Sequence, residues 1–230
     1  MSTTVYLVPC PISEDALHTL SPQVLDAVKQ CDTFFVENER SARRFLKKIW
    51  RDMVIDNYKW FVIEDEQSAR AFREQAKQGG NIGIISEAGC PGVADPGQAL
   101  VAIAQDMMLK VVPLTGPSSI LLALMASGLN GQHFSFHGYL PIENSQRTKA
   151  LKELEAETRK KGTTHIFIET PYRNNQMFSA IIASLQPDIR LCVAVDITGP
   201  GEFIRTLPLK EWKKQLPELH KKTVIFLIGT

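Results

Sequence analysis

Ligand spacings for a metal are missing from this chain. Its four cysteines, Cys10, Cys31, Cys90 and Cys192, form no CxxC pair, and no cluster of them with the five histidines has zinc spacing. Charge of one sign is missing too: 26 Lys and Arg against 25 Asp and Glu leave +1, so any nucleic-acid contact must come from a local patch. Long apolar runs are absent; the longest, residues 120–126, is the size of a buried helix segment, not of a membrane span. The start, MSTTVYLVPCPIS, has no basic opening and too short an apolar run for a signal sequence, so the expectation is reduced thiols in the cytoplasm. Neither G-x-G-x-x-G, GxxxxGK[ST] nor G-x-S-x-G occurs, which argues against a standard dinucleotide fold, a P-loop ATPase and an α/β-hydrolase. There is no internal repeat, low-complexity segment or Pro/Ser-rich linker.

What is present suits an ordinary globular protein. The 230 residues are 44% hydrophobic and 22% charged, enough for one large α/β domain or two small ones. Residues 80–97, GNIGIISEAGCPGVADPG, organise the reading. A strand-length apolar run at 82–85 breaks into Gly89, Pro91, Gly92, Pro96 and Gly97, with Glu87 and Asp95 among them. A buried strand ending in a glycine-rich loop is how open α/β sheets build ligand sites, because bare backbone there approaches a ligand closely. The same logic repeats where a strand at 110–114 runs through Thr115-Gly116-Pro117-Ser118-Ser119 into the apolar run. Both junctions are expected to face one pocket.

Further strands are expected at 5–8, stopped by Pro9-Cys10-Pro11, and at 33–36. Ser21-Pro22 reads as a helix start. From Arg40 the pattern RSARRFLKKIWR is helical. Ala42, Phe45, Leu46, Ile49 and Trp50 lie on one side; Arg40, Arg43, Arg44, Lys47, Lys48 and Arg51 recur three or four residues apart on the other. That face suits a phosphate backbone, or is simply a solvated basic face. Helices at 68–77 and 98–108 complete an alternation that predicts a mainly parallel sheet. Beyond it, strands at 134–139, 164–169, 191–195, 202–207 and 223–228 outnumber helices, which predicts a mixed sheet. The expected organisation is two α/β domains, 1–115 and 116–230.

Several side chains invite chemistry, each with a bland alternative. The 89–97 loop offers glycine backbone, an acid for a ribose hydroxyl and apolar Val93, as an adenosine-type ligand needs; the alternative is a plain turn. Ser118 and Ser119 are a helix cap or an anion site. Cys90 has no basic partner nearby in sequence, so backbone contact is expected of it. His137 and His165 lie in strand patterns and read as structural. Glu169-Thr170-Pro171-Tyr172-Arg173 is a wall for a base or phosphate, or a structural ion pair.

Taken together, VYLVPCPI, VENERSARRFL, SEAGCPGVADPG, VVPLTGPSSILLALMASGL, FHGYLP and ETPYR, in that order, resemble the tetrapyrrole-methylase superfamily of class III S-adenosylmethionine-dependent methyltransferases. Within it the chain is most similar to the ribosomal RNA small-subunit methyltransferase I branch, which methylates a cytidine 2′-hydroxyl. The resemblance implies S-adenosylmethionine folded in a cleft between two α/β domains. It places Gly89, Cys90, Val93 and Ala94 at the methionine and ribose end, beside Glu87 and Asp95. Pro9 lies under the cofactor, Ser118 and Ser119 face it, and Glu169, Thr170, Pro171 and Tyr172 approach the adenine. It also implies a homodimer and a cytoplasmic RNA substrate held by Arg40, Arg43, Arg44, Lys47 and Lys48. Glu37, Glu39 and Glu87 are the candidate bases. The chain departs from the branch at Ser13-Glu14-Asp15, where a glycine-asparagine-leucine loop is usual, at Glu37-Asn38-Glu39-Arg40, and at residues 196–201. A methyltransferase of a tetrapyrrole or other small molecule, and a non-catalytic cofactor-binding protein, remain alternatives.

Overall fold

The computed structural model describes residues 3–64 and 66–230. They divide into two compact units, the first ending at Ser118 and the second beginning at Ser119. In the first, β1 (Thr4–Val8), β2 (Thr33–Val36), β3 (Lys59–Val62), β4 (Ile82–Ile85) and β5 (Lys110–Pro113) form an all-parallel sheet in the order β3-β2-β4-β1-β5. The predicted parallel sheet is therefore present. β2 and β4 are buried at every position, as continuous apolar runs in a sheet covered on both faces must be.

Helices α1 (Gln23–Val28) and α2 (Glu39–Ile49) cover one face through Val24, Val28, Ala42, Phe45 and Leu46. On the other face, α3 (Glu66–Gln78) and α4 (Gln98–Asp106) pack Phe72, Ala76, Leu100, Ile103 and Ala104. Each large side chain so buried is worth about 1.5–3 kcal/mol relative to exposure. Ser21 acts a little differently from the expected cap. Its Oγ accepts from Gln23 N at 3.3 Å, while Pro22 stands just before the helix. The start of α2 is fixed by Asn38, whose side chain accepts from the amides of Arg40 and Ser41.

Strand β3 was not legible in the sequence. It is an edge strand reading KWFV, with its outer edge unpaired, and its apolar content is aromatic instead of a smooth aliphatic run. It is held by ring contacts: Trp60 stacks on Phe34 with centroids 5.0 Å apart, and Phe61 on Phe35 at 4.9 Å.

The second unit holds α5 (Ser119–Ser127), β6 (Phe134–Tyr139), α6 (Asn144–Lys161), β7 (Thr164–Ile168), α7 (Asn174–Ser184), β8 (Arg190–Val195), β9 (Phe203–Pro208), α8 (Leu209–Trp212) and β10 (Val224–Gly229). Its sheet runs β6-β7-β10-β8-β9 and is mixed, as expected: β6 and β7 are parallel, the other pairs antiparallel. Its core is built on Phe167, Phe226, Phe178 and Trp212, with Trp212 Nε1 donating to Leu191 O at 2.9 Å. No helix among the described residues is long and apolar enough to cross a membrane.

Gly83 explains a glycine in the middle of a buried strand. A Cβ there would stand 2.8 Å from the Phe34 ring and 3.3 Å from Cys31 Sγ. Gly83→Ala is expected to destabilise the first unit by about 1–3 kcal/mol through overpacking. Urea unfolding followed by tryptophan fluorescence measures this; an unchanged midpoint would show that the Phe34 ring yields freely.

Candidate active site

The site grows from the carboxyl ends of the first sheet. The chain leaves β4 toward α4, whereas its neighbours β1 and β2 lead to α1 and α2 on the opposite face. Such a divergence opens a crevice at the strand ends, where α/β sheets bind ligands. Here the crevice is framed by three loops that lock together. Cys10 and Gly89 form an antiparallel bridge, with Cys10 N donating to Gly89 O at 2.9 Å and Gly89 N to Cys10 O at 3.0 Å. Ser86 Oγ also donates to Gly89 O, at 2.9 Å. The exit of β5 closes on the same point: a Cβ on Gly116 would lie 2.2 Å from Pro9 Cβ, and Cys90 Sγ lies 3.4 Å from Pro117 O. Pro9, Gly89, Cys90 and the residues just before Ser118 are thus brought together.

The loop beyond Gly89 is held by Asp95. Its Oδ1 accepts from Gly92 N at 3.0 Å and Gly97 N at 2.7 Å. Gly89 and Gly92 take φ of 74° and 79°, and Ala94 takes 56°, a left-handed backbone that costs little only for glycine. Val93 projects outward, 53% exposed. The Cys90 thiol is pushed up by burial, so it is no ready thiolate; Cys10 is pushed much further up by burial and by the charges of Glu87, Glu37 and Asp95.

Those three carboxyls form the electrostatic centre of the crevice. Glu87 N donates to Glu37 Oε1 at 2.9 Å. Burial pushes the Glu37 carboxyl from its ordinary 4.5 up to about 7. The Glu87 amide pulls it back, while the hydrogen bond to Asp95 and the charges of Asp95 and Glu87 add to the rise. Among the described residues Asp95 Oδ2 is buried without a hydrogen-bond partner, a deficit that a proton on Glu37 answers. Glu87 itself is exposed and accepts a short hydrogen bond from Ser41 Oγ. Glu39 is engaged elsewhere, paired with Arg43 one helical turn on at 2.6 Å.

Beside Glu87 opens a pocket of about 250 Å³. Pro11, Ile12, Leu17 and Phe45 give it apolar walls, Ser41, Ser86 and Glu87 a polar end, and Glu14, Arg44 and Lys48 a charged rim. The cations of α2 fan apart instead of acting as one face. Arg43 lies over the Trp60 ring, 5.1 Å from its centroid. Lys47 Nζ donates to Met53 O at 2.9 Å, tying down the end of its own helix. Arg40 is exposed. Arg44 and Lys48 reach the pocket, where Glu14 Oε1 sits 3.9 and 3.0 Å from them. Ser41 and the wall at Ile12 and Leu17 escaped the sequence reading, which marked Glu14 as a departure from the branch but not as a partner of these cations. The contact of Glu14 with Lys48 spans 34 residues and leaves no periodic trace.

In the second unit, Glu169 is buried at the end of β7. Its Oε1 accepts from Arg173 Nη2 at 2.7 Å, Arg173 Nε at 3.0 Å and Thr170 N at 2.6 Å, an internal ion pair at the start of α7. Pro171 is exposed, and Tyr172, 70% exposed, meets the His220 ring edge to face. Ser119 is the first residue of α5. His137 Nε2 and His165 Nδ1 lie 2.9 Å apart, and burial pushes both rings down, toward the neutral form.

Residues 4–213 match the sequence pattern of the family described as Tetrapyrrole (Corrin/Porphyrin) Methylases. Similar proteins include the ribosomal RNA small subunit methyltransferase I of Escherichia coli O157:H7, 30% identical over 97% of this chain and 77% of that protein. The protein of the same name from Vibrio cholerae (serotype O1) is 32% identical over 90% and 69%; that from Bacillus subtilis (strain 168) is 34% identical over 87% and 66%. Among solved structures, the methyltransferase CobJ superposes with a TM-score of 0.65 at 17% identity, covering all of this chain and 94% of that one. Diphthine synthase superposes at 0.68 and 16%, covering all of this chain and 90% of that one. At those identities the structures speak to the fold alone.

The carboxyl cluster has a measurable consequence. A Glu37 carboxyl titrating near 7 when folded, against an ordinary 4.5, binds more protons in the folded state between those values. Stability is therefore expected to fall as pH rises from about 4.5 through about 7. Glu37→Gln keeps a neutral donor toward Asp95 and should flatten that decline, raising Tm at pH 8 relative to the parent. Calorimetry across that range decides; parallel Tm profiles would show that Glu37 is charged throughout.

Proposed function

The chain belongs to the tetrapyrrole (corrin/porphyrin) methylases, and from that premise we propose that it is an S-adenosylmethionine-dependent methyltransferase of small-subunit ribosomal RNA, acting on a ribose 2′-hydroxyl. The observation that carries the acceptor class is the pocket beside Glu87, with Arg44 and Lys48 at its rim. Cations at a pocket mouth suit a phosphodiester flanking the reacting nucleotide.

The loops fit the cofactor. Gly89 and Gly92 put no side chain over the loop, and Cys90 turns inward on carbonyl oxygens, so a ligand can approach the loop backbone closely. The Glu87 carboxylate favours a positive ligand nearby. When bound, S-adenosylmethionine supplies a methyl group already activated on a sulfonium centre. The protein's own work is then to orient the acceptor and take a hydroxyl proton. Glu87 is assigned that proton because it lines the pocket while Glu37 does not. Ser41 Oγ orients the Glu87 carboxylate, and Glu37 fixes the Glu87 backbone through its amide.

The same reading assigns the protein to the cytoplasm, with its ribosomal substrate. It also makes it a homodimer; the exposed Leu121 and Met125 of α5, and Phe134 and Tyr139 of the edge strand β6, supply apolar surface for a second copy.

Purified protein, methyl-labelled S-adenosylmethionine and small ribosomal subunits test the reading. Label is expected in the RNA at a ribose. Label only in a small-molecule fraction of an added cell extract would transfer the assignment to a metabolite, and cofactor binding without any transfer would make the chain a non-catalytic binder. Glu87→Gln is expected to lower kcat by about 10²–10⁴ with cofactor affinity retained. Full activity in that variant removes Glu87 as the base.

A further inference from the structure

The rim of the pocket holds an arrangement that the proposed reaction does not require. Arg44 and Lys48 lie one helical turn apart on α2, and both point at a single carboxylate, Glu14. Lys48 Nζ donates to Glu14 Oε1 at 3.0 Å, which holds that carboxyl below its ordinary range. Glu14 is at the apex of a turn, closed by Ala16 N donating to Ser13 O at 2.9 Å, in a stretch with no strand or helix. Its side chain is 68% exposed. Nothing buries this acid, and in water such a pair contributes little to stability. The contact therefore explains little as a brace. It does place one oxyanion on two cations at the mouth of a pocket that also contains Glu87.

Resting on the RNA reading above, we propose that Glu14 stands in for an RNA phosphate on Arg44 and Lys48, so that the pocket admits its nucleotide when a phosphodiester displaces this carboxylate. A carboxylate and a phosphate diester offer the cations the same chemistry: one negative charge shared over two free oxygens. Exchange of one for the other conserves the ion pairs and swings the 13–16 turn away from the mouth. A neutral metabolite makes no such exchange, so Glu14 selects for a polyanion. The pocket, about 250 Å³, has room for one base or ribose and none for a base pair, so the acceptor nucleotide must enter unpaired.

The exchange has a signature in salt dependence. In the parent protein the bound phosphate sheds its condensed cations, but the displaced Glu14 carboxylate takes up a cation in turn, so the net release is small. Glu14→Gln removes that uptake and the competing charge with it. With protein-free small-subunit ribosomal RNA as the probe, Glu14→Gln is expected to tighten binding about three- to tenfold at low salt. The slope of log Kd against log salt should steepen by about one. Asp15→Asn removes the same charge one residue away, outside the pairs, and is expected to change affinity less than twofold. In an Arg44→Gln/Lys48→Gln background, Glu14→Gln should have no effect, since its partners are gone. Cofactor affinity, measured by calorimetry, should be the same in all five proteins. The proposal is overturned if Glu14→Gln leaves RNA affinity unchanged or weakens it, or if Asp15→Asn matches it. A parent protein that binds no RNA at low salt overturns the RNA reading itself, and this exchange with it.

Discussion

Two backbone hydrogen bonds, between Cys10 and Gly89, hold the working end of this protein together. They join the exits of β1 and β4, two strands whose chains depart to opposite faces of the sheet. Without that bridge the crevice between them would be an open gap between independent loops. With it, Pro9 is pinned against Gly116, Cys90 meets the carbonyls of Gly116 and Pro117, and Ser86 closes on the Gly89 carbonyl. The glycines follow from this crowding as much as from any ligand. A side chain at Gly116 has nowhere to go, and Gly89 must take a left-handed φ to present both its amide and its carbonyl to Cys10.

Much of this was legible from the chain. Residues 82–85 read as a buried strand because four apolar residues in a row have no polar face to show, and the structure buries all four. The fold class followed from alternation in the first half and strand crowding in the second. The 89–97 loop read as special because glycine and proline cluster there without helical spacing. Strand β3 was lost because KWFV at a sheet edge is neither a smooth aliphatic run nor a clean alternation; its fit to β2 lies in ring contacts, which only three dimensions display. The basic helix was legible as a helix but not as a set of separate tasks. Arg43, Lys47 and Arg44 look alike in sequence, yet one lies on Trp60, one ties down a helix end and one reaches a pocket. The pairing of Glu14 was illegible for a related reason, since its partners arrive from another element.

Asp95 shows how a candidate residue can also shape the loop that carries it. Composition offered it as an acid for a ribose hydroxyl. The structure gives Oδ1 two amides of its own loop and leaves Oδ2 buried toward Glu37. Oδ1 is committed to the shape of the loop, and that shape determines whether the 89–94 backbone can face a ligand at all. Glu169 is similar on the second sheet: an acid at a strand end, already satisfied by Arg173 and the Thr170 amide.

Net charge conceals the electrostatic design. A chain at +1 would be dismissed as an RNA binder if charge acted over the whole surface, but screening limits exposed charges to about 10 Å in ordinary salt. On that scale the first unit is strongly divided. Glu37, Glu87 and Asp95 gather at the strand ends, with Glu37 holding its proton to a pH near neutrality, while Arg44 and Lys48 stand at the pocket rim. In the proposed reaction a cationic sulfonium and a polyanionic acceptor would need opposite surroundings within one site. Ser41 and Glu87 sit where those surroundings meet, on the start of α2 and the end of β4. Both groups of charge lie at adjacent strand exits of one sheet, the acids at the ends of β2 and β4 and the cations on the helix that follows β2.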